Sequence, residues 1–194
     1  MSNLQSLQEQ GPPQSPSPFL VEHMHRLPPG RVLDVAAGRG RNILYLAEQG
    51  FTVHAIDRDP LALQQLCNIA RQRQLQHITT EVIDLEARPM GDVALPPQAY
   101  DVVLVFFYLF RPLFPALLRT LKPEGILMYE TFLVENYLRY QRPRHQGFCL
   151  EPGELRTLVS GLHILHYDEN PRGHPDRQTK TFTARLLARK DPAV

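Results

Sequence analysis

Cysteine is scarce in this chain of 194 residues: only Cys67 and Cys149 occur. They lie far apart and outside any CxxC or metal-ligand spacing, so no dithiol redox motif and no zinc site is written in them. With nothing pointing to secretion, that usage suits a reducing compartment and a cytoplasmic protein. The N-terminus lacks the charged-then-apolar layout of a signal peptide, and no apolar run approaches the length of a membrane helix. Net charge is missing too. The 21 basic residues face 20 acidic ones, a formal +1, which leaves no overall field to gather nucleic acid or an anionic membrane. The eight histidines are scattered, and none pairs at a metal-ligand spacing.

What is present is an alternation. The opening "MSNLQSLQEQGPPQSPSP" offers little to bury and reads as a mobile leader over residues 1–18. Residues 19–194 then read as a single domain, long enough to bury a core of its own. Strands are expected at 31–36, 52–56, 78–83, 101–107 and 125–132, several of them apolar on both faces as in a covered parallel sheet. Helices are expected between them at 41–50, 59–74 and 111–125, and a late one at 151–161. Asp59 is the expected N-cap of the second, with Pro60 at its first position. Two further strands, 162–169 and 180–188, joined by a Pro/Gly-rich loop, read as an antiparallel pair at the sheet edge. The fold class is α/β, a doubly wound, mostly parallel sheet with helices on both faces. Such sheets bind ligands at the carboxyl ends of their strands, where strand order reverses.

The stretch "VLDVAAGRGRN" (32–42) raises the question of the ligand. A nicotinamide dinucleotide asks for a third small residue where Ile43 stands, and no phosphate-gripping G-x-x-x-x-G-K-[ST] loop occurs. Acids close three successive strands instead, at Asp34, Asp57 and Asp84. Carboxylates suit S-adenosyl-L-methionine, which has no phosphates but carries an amino group, a sulfonium, a ribose diol and an adenine amine. Gly38 and Gly40 let the backbone approach the methionine portion. Asp57 suits the ribose hydroxyls, and Asp84 the adenine amine, with the Leu85 N–H towards a ring nitrogen.

With "VLDVAAGRGRN", "HAIDRDP", "VIDLE", "LKPEGILMYETF" and "LEPGEL" in this order, residues 18–188 resemble the class I S-adenosylmethionine-dependent methyltransferases, most closely the small bacterial tellurite-resistance-like members. The resemblance implies a Rossmann-like sheet of seven strands, the last inserted antiparallel between the fifth and sixth. It implies cofactor contacts at Asp34, Gly38, Gly40, Asp57, Asp84 and Leu85, and Ala36, Arg58 and Phe106 are expected beside them. The chain departs from the family at Ala36, where the first loop usually has Gly, and at Phe107, where close relatives tend to have Asn. The family label does not fix the acceptor.

Methyl transfer depends on aligning the reacting atoms and excluding water more than on acid–base chemistry, so acceptor residues leave little motif. Position nominates Tyr108 and Arg111 after the fourth strand and Glu130 and Phe132 after the fifth. The loop 135–154 is long enough for a lid, and its Arg139, Arg142, Arg144 and His145 would suit an anionic acceptor or simply be solvated. His145 has the intrinsic pKa of a general base. Residues 19–25 are expected to cap the cleft, with Phe19, Tyr45 and Tyr108 as apolar contacts. Neither an Asn/Asp-Pro-Pro-aromatic segment nor a Pro-Cys nucleophile is present, which disfavours a nucleic-acid substrate. The expected partner is a small-molecule acceptor. Two rival readings of the same motifs are a non-catalytic module that holds the cofactor or its demethylated product, and a nicotinamide-dependent oxidoreductase.

Overall fold

A computed structural model of the chain describes residues 15–87, 95–174 and 177–192. In chain order its elements are α1 (Pro18–His23), β1 (Arg31–Val35), α2 (Arg41–Glu48), β2 (Thr52–Asp57), α3 (Pro60–Gln72), β3 (Ile78–Val82), β4 (Tyr100–Phe106), α4 (Phe114–Thr120), β5 (Leu121–Phe132), α5 (Val134–Tyr140), α6 (Glu154–Leu158), β6 (Leu162–Asp168), β7 (Arg172–His174), β8 (Arg177–Thr181) and β9 (Thr183–Lys190). The main sheet has seven strands in the order β3-β2-β1-β4-β5-β9-β6. β1 pairs in parallel with both β2 and β4, and the strand order reverses between them. Only β9 runs against its neighbours β5 and β6. The expected α/β class and the inserted antiparallel last strand are therefore both found.

Side chains alternate across a strand, so the apolar runs of β1 and β4 feed two cores at once. Leu33, Val35, Val103 and Val105 pack on one face with Phe114 and Leu117 of α4 and Leu155 of α6. Val32, Val102, Leu104 and Phe106 pack on the other with Ile43 of α2, Leu66 of α3 and Phe19 of α1. The edge strand β3 carries Thr79, Thr80 and Glu81 and is largely exposed, as an uncovered edge permits. α3 starts where expected: Asp59 Oδ1 accepts from the N–H groups of Leu61 and Ala62, at 2.9 and 3.3 Å.

Four boundaries differ from the sequence reading. The helix expected over 111–125 is a 3-10 turn at Arg111–Leu113 followed by the shorter α4. Pro123 disfavours helix in the residues before it, and Leu121 instead pairs with Tyr100 to open β5. The chain then buckles at Glu124 (φ 63°), and pairing resumes at Val102–Ile126. The expected loop 135–154 begins as helix α5, braced by the Glu135–Arg139 ion pair. The Pro/Gly-rich connection after β6 holds its own small hairpin, β7 with β8, so the expected strand 180–188 is divided at Phe182. Finally, of the expected leader, residues 1–14 lie outside the described residues. Ser17 is buried, donating its N–H to Asn42 Oδ1 at 2.9 Å and its hydroxyl to Glu130 Oε2 at 3.2 Å. The chain is thus tied to the sheet ahead of the expected boundary at residue 18.

Candidate functional site

The loop that follows β1 turns on three left-handed residues, Ala36 (φ 55°), Gly38 (φ 56°) and Gly40 (φ 75°). The alanine pays a modest conformational cost there that a glycine would not. Gly40 has a second reason to be glycine, since a Cβ would sit 2.4 Å from Leu66 Cδ1 of α3. Around Gly38 there is open space. The Gly38 N–H donates to Asp57 Oδ2 at 2.7 Å, and the other oxygen of Asp57 accepts from the Asp59 N–H at 2.9 Å. The carboxylate at the end of β2 therefore fixes the glycine loop, and Asp57 itself lines the cleft described next. Asp34 is only 2% exposed. Burial pushes its carboxyl up to about 8, against the pull of the Arg41 guanidinium and with a further push from Asp57. Beyond β3, Asp84 Oδ1 accepts from the Glu86 N–H at 3.0 Å, a local turn that presents the Asp84–Leu85 peptide.

These groups border a cleft of about 280 Å³ at the carboxyl ends of the parallel strands. Of the expected cofactor contacts, Ala36, Asp57, Arg58, Asp84 and Leu85 line it. Asp34, Gly38, Gly40 and Phe106 are not among the lining residues. Phe106 completes the alternation of β4 and points into the core, 8% exposed. Phe107, the next residue, takes the wall in its place; its backbone is left-handed (φ 58°) and it stands just past the end of β4. Tyr108 and Phe132, both expected on the acceptor side, line the same cleft. Burial and the neighbouring Glu86 push the Tyr108 hydroxyl well above its ordinary value, so it stays protonated.

A second cleft of about 560 Å³ lies across Phe107 and Phe132, which line both. Their rings are 5.1 Å apart at 47° and form the partition. Its other walls include Tyr140, Arg142 and Lys180. Asn136 holds these walls together: its Nδ2 donates to the Arg142 carbonyl at 2.8 Å, and its Oδ1 accepts from the Phe182 N–H at 3.1 Å.

The remaining candidates are placed elsewhere. Arg111 clamps the loop after α5 to the fold, with a bidentate pair to Glu154 and bonds to the Gly147 and Cys149 carbonyls. Glu130 is 3% exposed and accepts from Arg185 Nε at 2.8 Å and from Thr183 and Ser17 hydroxyls. His145 is exposed, edge-on to Phe148. Phe19 is fully buried under the Arg185 guanidinium, and Tyr45 packs on the same core, so neither reaches a cleft. Sequence reasoning missed Glu86, Tyr140, Phe148 and Lys180 among the lining residues. Only Glu86, next to "DL" in "VIDLE", carried a local signal. Among the described residues no group of three or more His, Cys, Asp and Glu could hold a metal ion, and no helix is long and apolar enough to cross a membrane.

Residues 19–180 match the family described as "Tellurite resistance protein TehB". The chain is 28% identical over 181 residues to the probable S-adenosyl-L-methionine-dependent methyltransferase TehB of Haemophilus influenzae, covering 88% of this chain and 61% of that protein. It is 24% identical over 153 residues to Hemagglutinin 1 of Eikenella corrodens, covering 76% of this chain and 49% of that protein. The crystal structure of TehB from Haemophilus influenzae superimposes with a TM-score of 0.74 at 22% identity, over 89% of this chain and 61% of that one. The chain thus spans between half and three-fifths of the length of these relatives. By the extent of that match, residues 19–180 of 194, the chain belongs to the TehB family.

Proposed function

We propose that this chain transfers a methyl group from S-adenosyl-L-methionine to a small, anionic acceptor by in-line displacement, as a single cytoplasmic domain over residues 19–194. The observation that carries the reading is the pairing of two clefts. One is lined by Ala36, Asp57 and Asp84, and the other adjoins it across Phe107 and Phe132. The donor set fits the cofactor. Asp57 suits the ribose hydroxyls, Asp84 with the Leu85 N–H suits the adenine edge, and Gly38, which has open space where a Cβ would lie, suits the methionine portion. When bound, S-adenosyl-L-methionine supplies a methyl group activated by the sulfonium charge. The chain's own part is to align and dehydrate the reacting groups, with the Phe107–Phe132 partition marking where the two clefts meet. Arg142 and Lys180 on the second cleft support an anionic acceptor. The two free cysteines accord with a reducing compartment.

A dinucleotide is disfavoured by Ile43, whose fully buried side chain occupies the helix position that the dinucleotide loop keeps small. Isothermal titration with S-adenosyl-L-methionine, S-adenosylhomocysteine and NAD tests the reading. Micromolar binding of the first two and none of the third is expected. A folded protein that binds neither sulfur compound would refute it.

A further inference from the structure

Among the described residues, the walls of the second cleft carry cations and no acid. The described residues that line it include no Asp, Glu or His. His145, the one imidazole in the neighbouring loop, is not among them. On the cofactor side the Tyr108 hydroxyl is held protonated. The carboxylates Asp57, Asp84 and Glu86 line the cofactor cleft rather than the second one. The described walls of the second cleft therefore favour an acceptor that arrives already ionised over a neutral O–H, N–H or S–H group. An anion needs no base. Its lone pair forms the new bond to the methyl carbon as the S–CH3 bond breaks with its electrons onto sulfur. One negative and one positive charge cancel, and no proton moves.

The walls also speak about the body of that anion. The exposed large aromatics among the described residues are Phe107, Tyr140 and Phe148, and each borders one of the two clefts. Phe107 is 41% exposed and Tyr140 37%. Rings left open to water at a concave site are places where apolar area can still be removed from solvent. A small inorganic ion would leave them wet, whereas a flat organic body would cover them. A volume of about 560 Å³ is ample for one or two fused rings. The Arg41 guanidinium lies 5.4 Å over the Phe107 ring and adds positive potential at the partition.

Resting on the methyl-transfer reading, we infer that the second cleft binds a ring-bearing organic acid as its conjugate base. The ring lies against Phe107, Phe132 and Tyr140, and the charge is held by Arg142 and Lys180. The two cations stabilise the ionised acceptor over its neutral form, and so replace a general base.

The test uses 4-nitrophenol, whose ionised form is yellow, with the full chain saturated by S-adenosylhomocysteine. The phenolate should bind saturably, and the bound phenol should titrate at lower pH than the free one. Its uncharged methyl ether, 4-nitroanisole, should bind at least tenfold more weakly. The variants R142A and K180A, both at exposed positions, should each weaken phenolate binding several-fold. The double variant should abolish the pH shift, while S-adenosylhomocysteine binds as in wild type. Three results would each overturn the inference: 4-nitroanisole binding as tightly as the phenolate, a double variant that binds the phenolate unchanged, or no saturable binding to a complex that does hold S-adenosylhomocysteine. Failure of S-adenosylhomocysteine itself to bind is a different result, and removes the methyl-transfer reading together with this one.

Discussion

Replacing Asp57 by alanine removes one carboxylate with two separable duties. In the structure its oxygens accept the Gly38 N–H at 2.7 Å and the Asp59 N–H at 2.9 Å. In the proposed complex they also accept from the ribose hydroxyls. Hydrogen bonds to a charged acceptor contribute about 1.5–3 kcal/mol. Losing the ribose contacts should therefore raise the dissociation constant for S-adenosylhomocysteine by roughly 10- to 150-fold. The two orphaned N–H groups are half-buried to exposed and can turn to water, so their loss should cost the fold only about 1 kcal/mol. For a chain of this size that is a fall in Tm of about 2–4 °C. Asparagine keeps the shape but must point its amide donor at one of the two N–H groups, so Asp57→Asn should fall between wild type and alanine on both measures. The assay is titration calorimetry with S-adenosylhomocysteine alongside thermal unfolding, with Glu48→Ala, which breaks only the surface pair with Arg73, as control. An Asp57→Ala protein that binds S-adenosylhomocysteine within twofold of wild type would refute the assignment.

Other substitutions probe the frame around the cleft. Because the Asp34 carboxyl is pushed up to about 8 in the folded state, from an ordinary 3.8, the folded chain holds a proton that the unfolded chain releases between those values. Stability should fall as pH rises through that window. Asp34→Asn should accordingly have the higher Tm at pH 8, with the gap narrowing towards pH 5; a gap independent of pH would contradict this. Gly40→Ala combines a left-handed backbone with a Cβ 2.4 Å from Leu66, and should cost about 2–4 kcal/mol in urea unfolding. Gly38→Ala, with open space around it, should cost only about 1–2 kcal/mol; the reverse order would show that the loop is misread. Glu130→Ala strands Arg185 in the interior and should destabilise by about 3–5 kcal/mol. A loss below 1 kcal/mol would mean that water already reaches that pair.

Local chemistry explains which parts of this protein could be read from its sequence. The strands show as apolar runs, α3 starts at Asp59-Pro60, and the loop after β1 is marked by its glycines, because each of these depends on neighbours in the chain. The buckle at Glu124 depends on a pairing partner far away in sequence, in β4, and left no such mark. The hairpin of β7 and β8 is local, but its short strands lie in a Pro/Gly-rich stretch without an apolar alternation. Glu130 shows the limit most clearly. Its strand-end position made it a candidate for the acceptor side, but Arg185, 55 residues on, holds it in an internal ion pair. Arg111 was drawn away in the same manner by Glu154, 43 residues on. Phe106 and Phe107 differ for a reason of parity. A strand ending one residue earlier or later exchanges core for cleft, and the left-handed Phe107 stands just past the end of β4. The second cleft needed three separate segments, residue 107, residues 132–142 and residues 180–181, to come together, so no motif could announce it.

In the proposed function, the cleft bordered by Asp57 and Asp84 holds S-adenosyl-L-methionine. Calorimetric titration of the purified chain with S-adenosyl-L-methionine and S-adenosylhomocysteine, with NAD as the comparison, tests this most directly. The account predicts saturable, one-to-one binding of both sulfur compounds at micromolar concentrations and no heat from NAD. Binding of NAD, or of none of the three by a cooperatively folded protein, would contradict it.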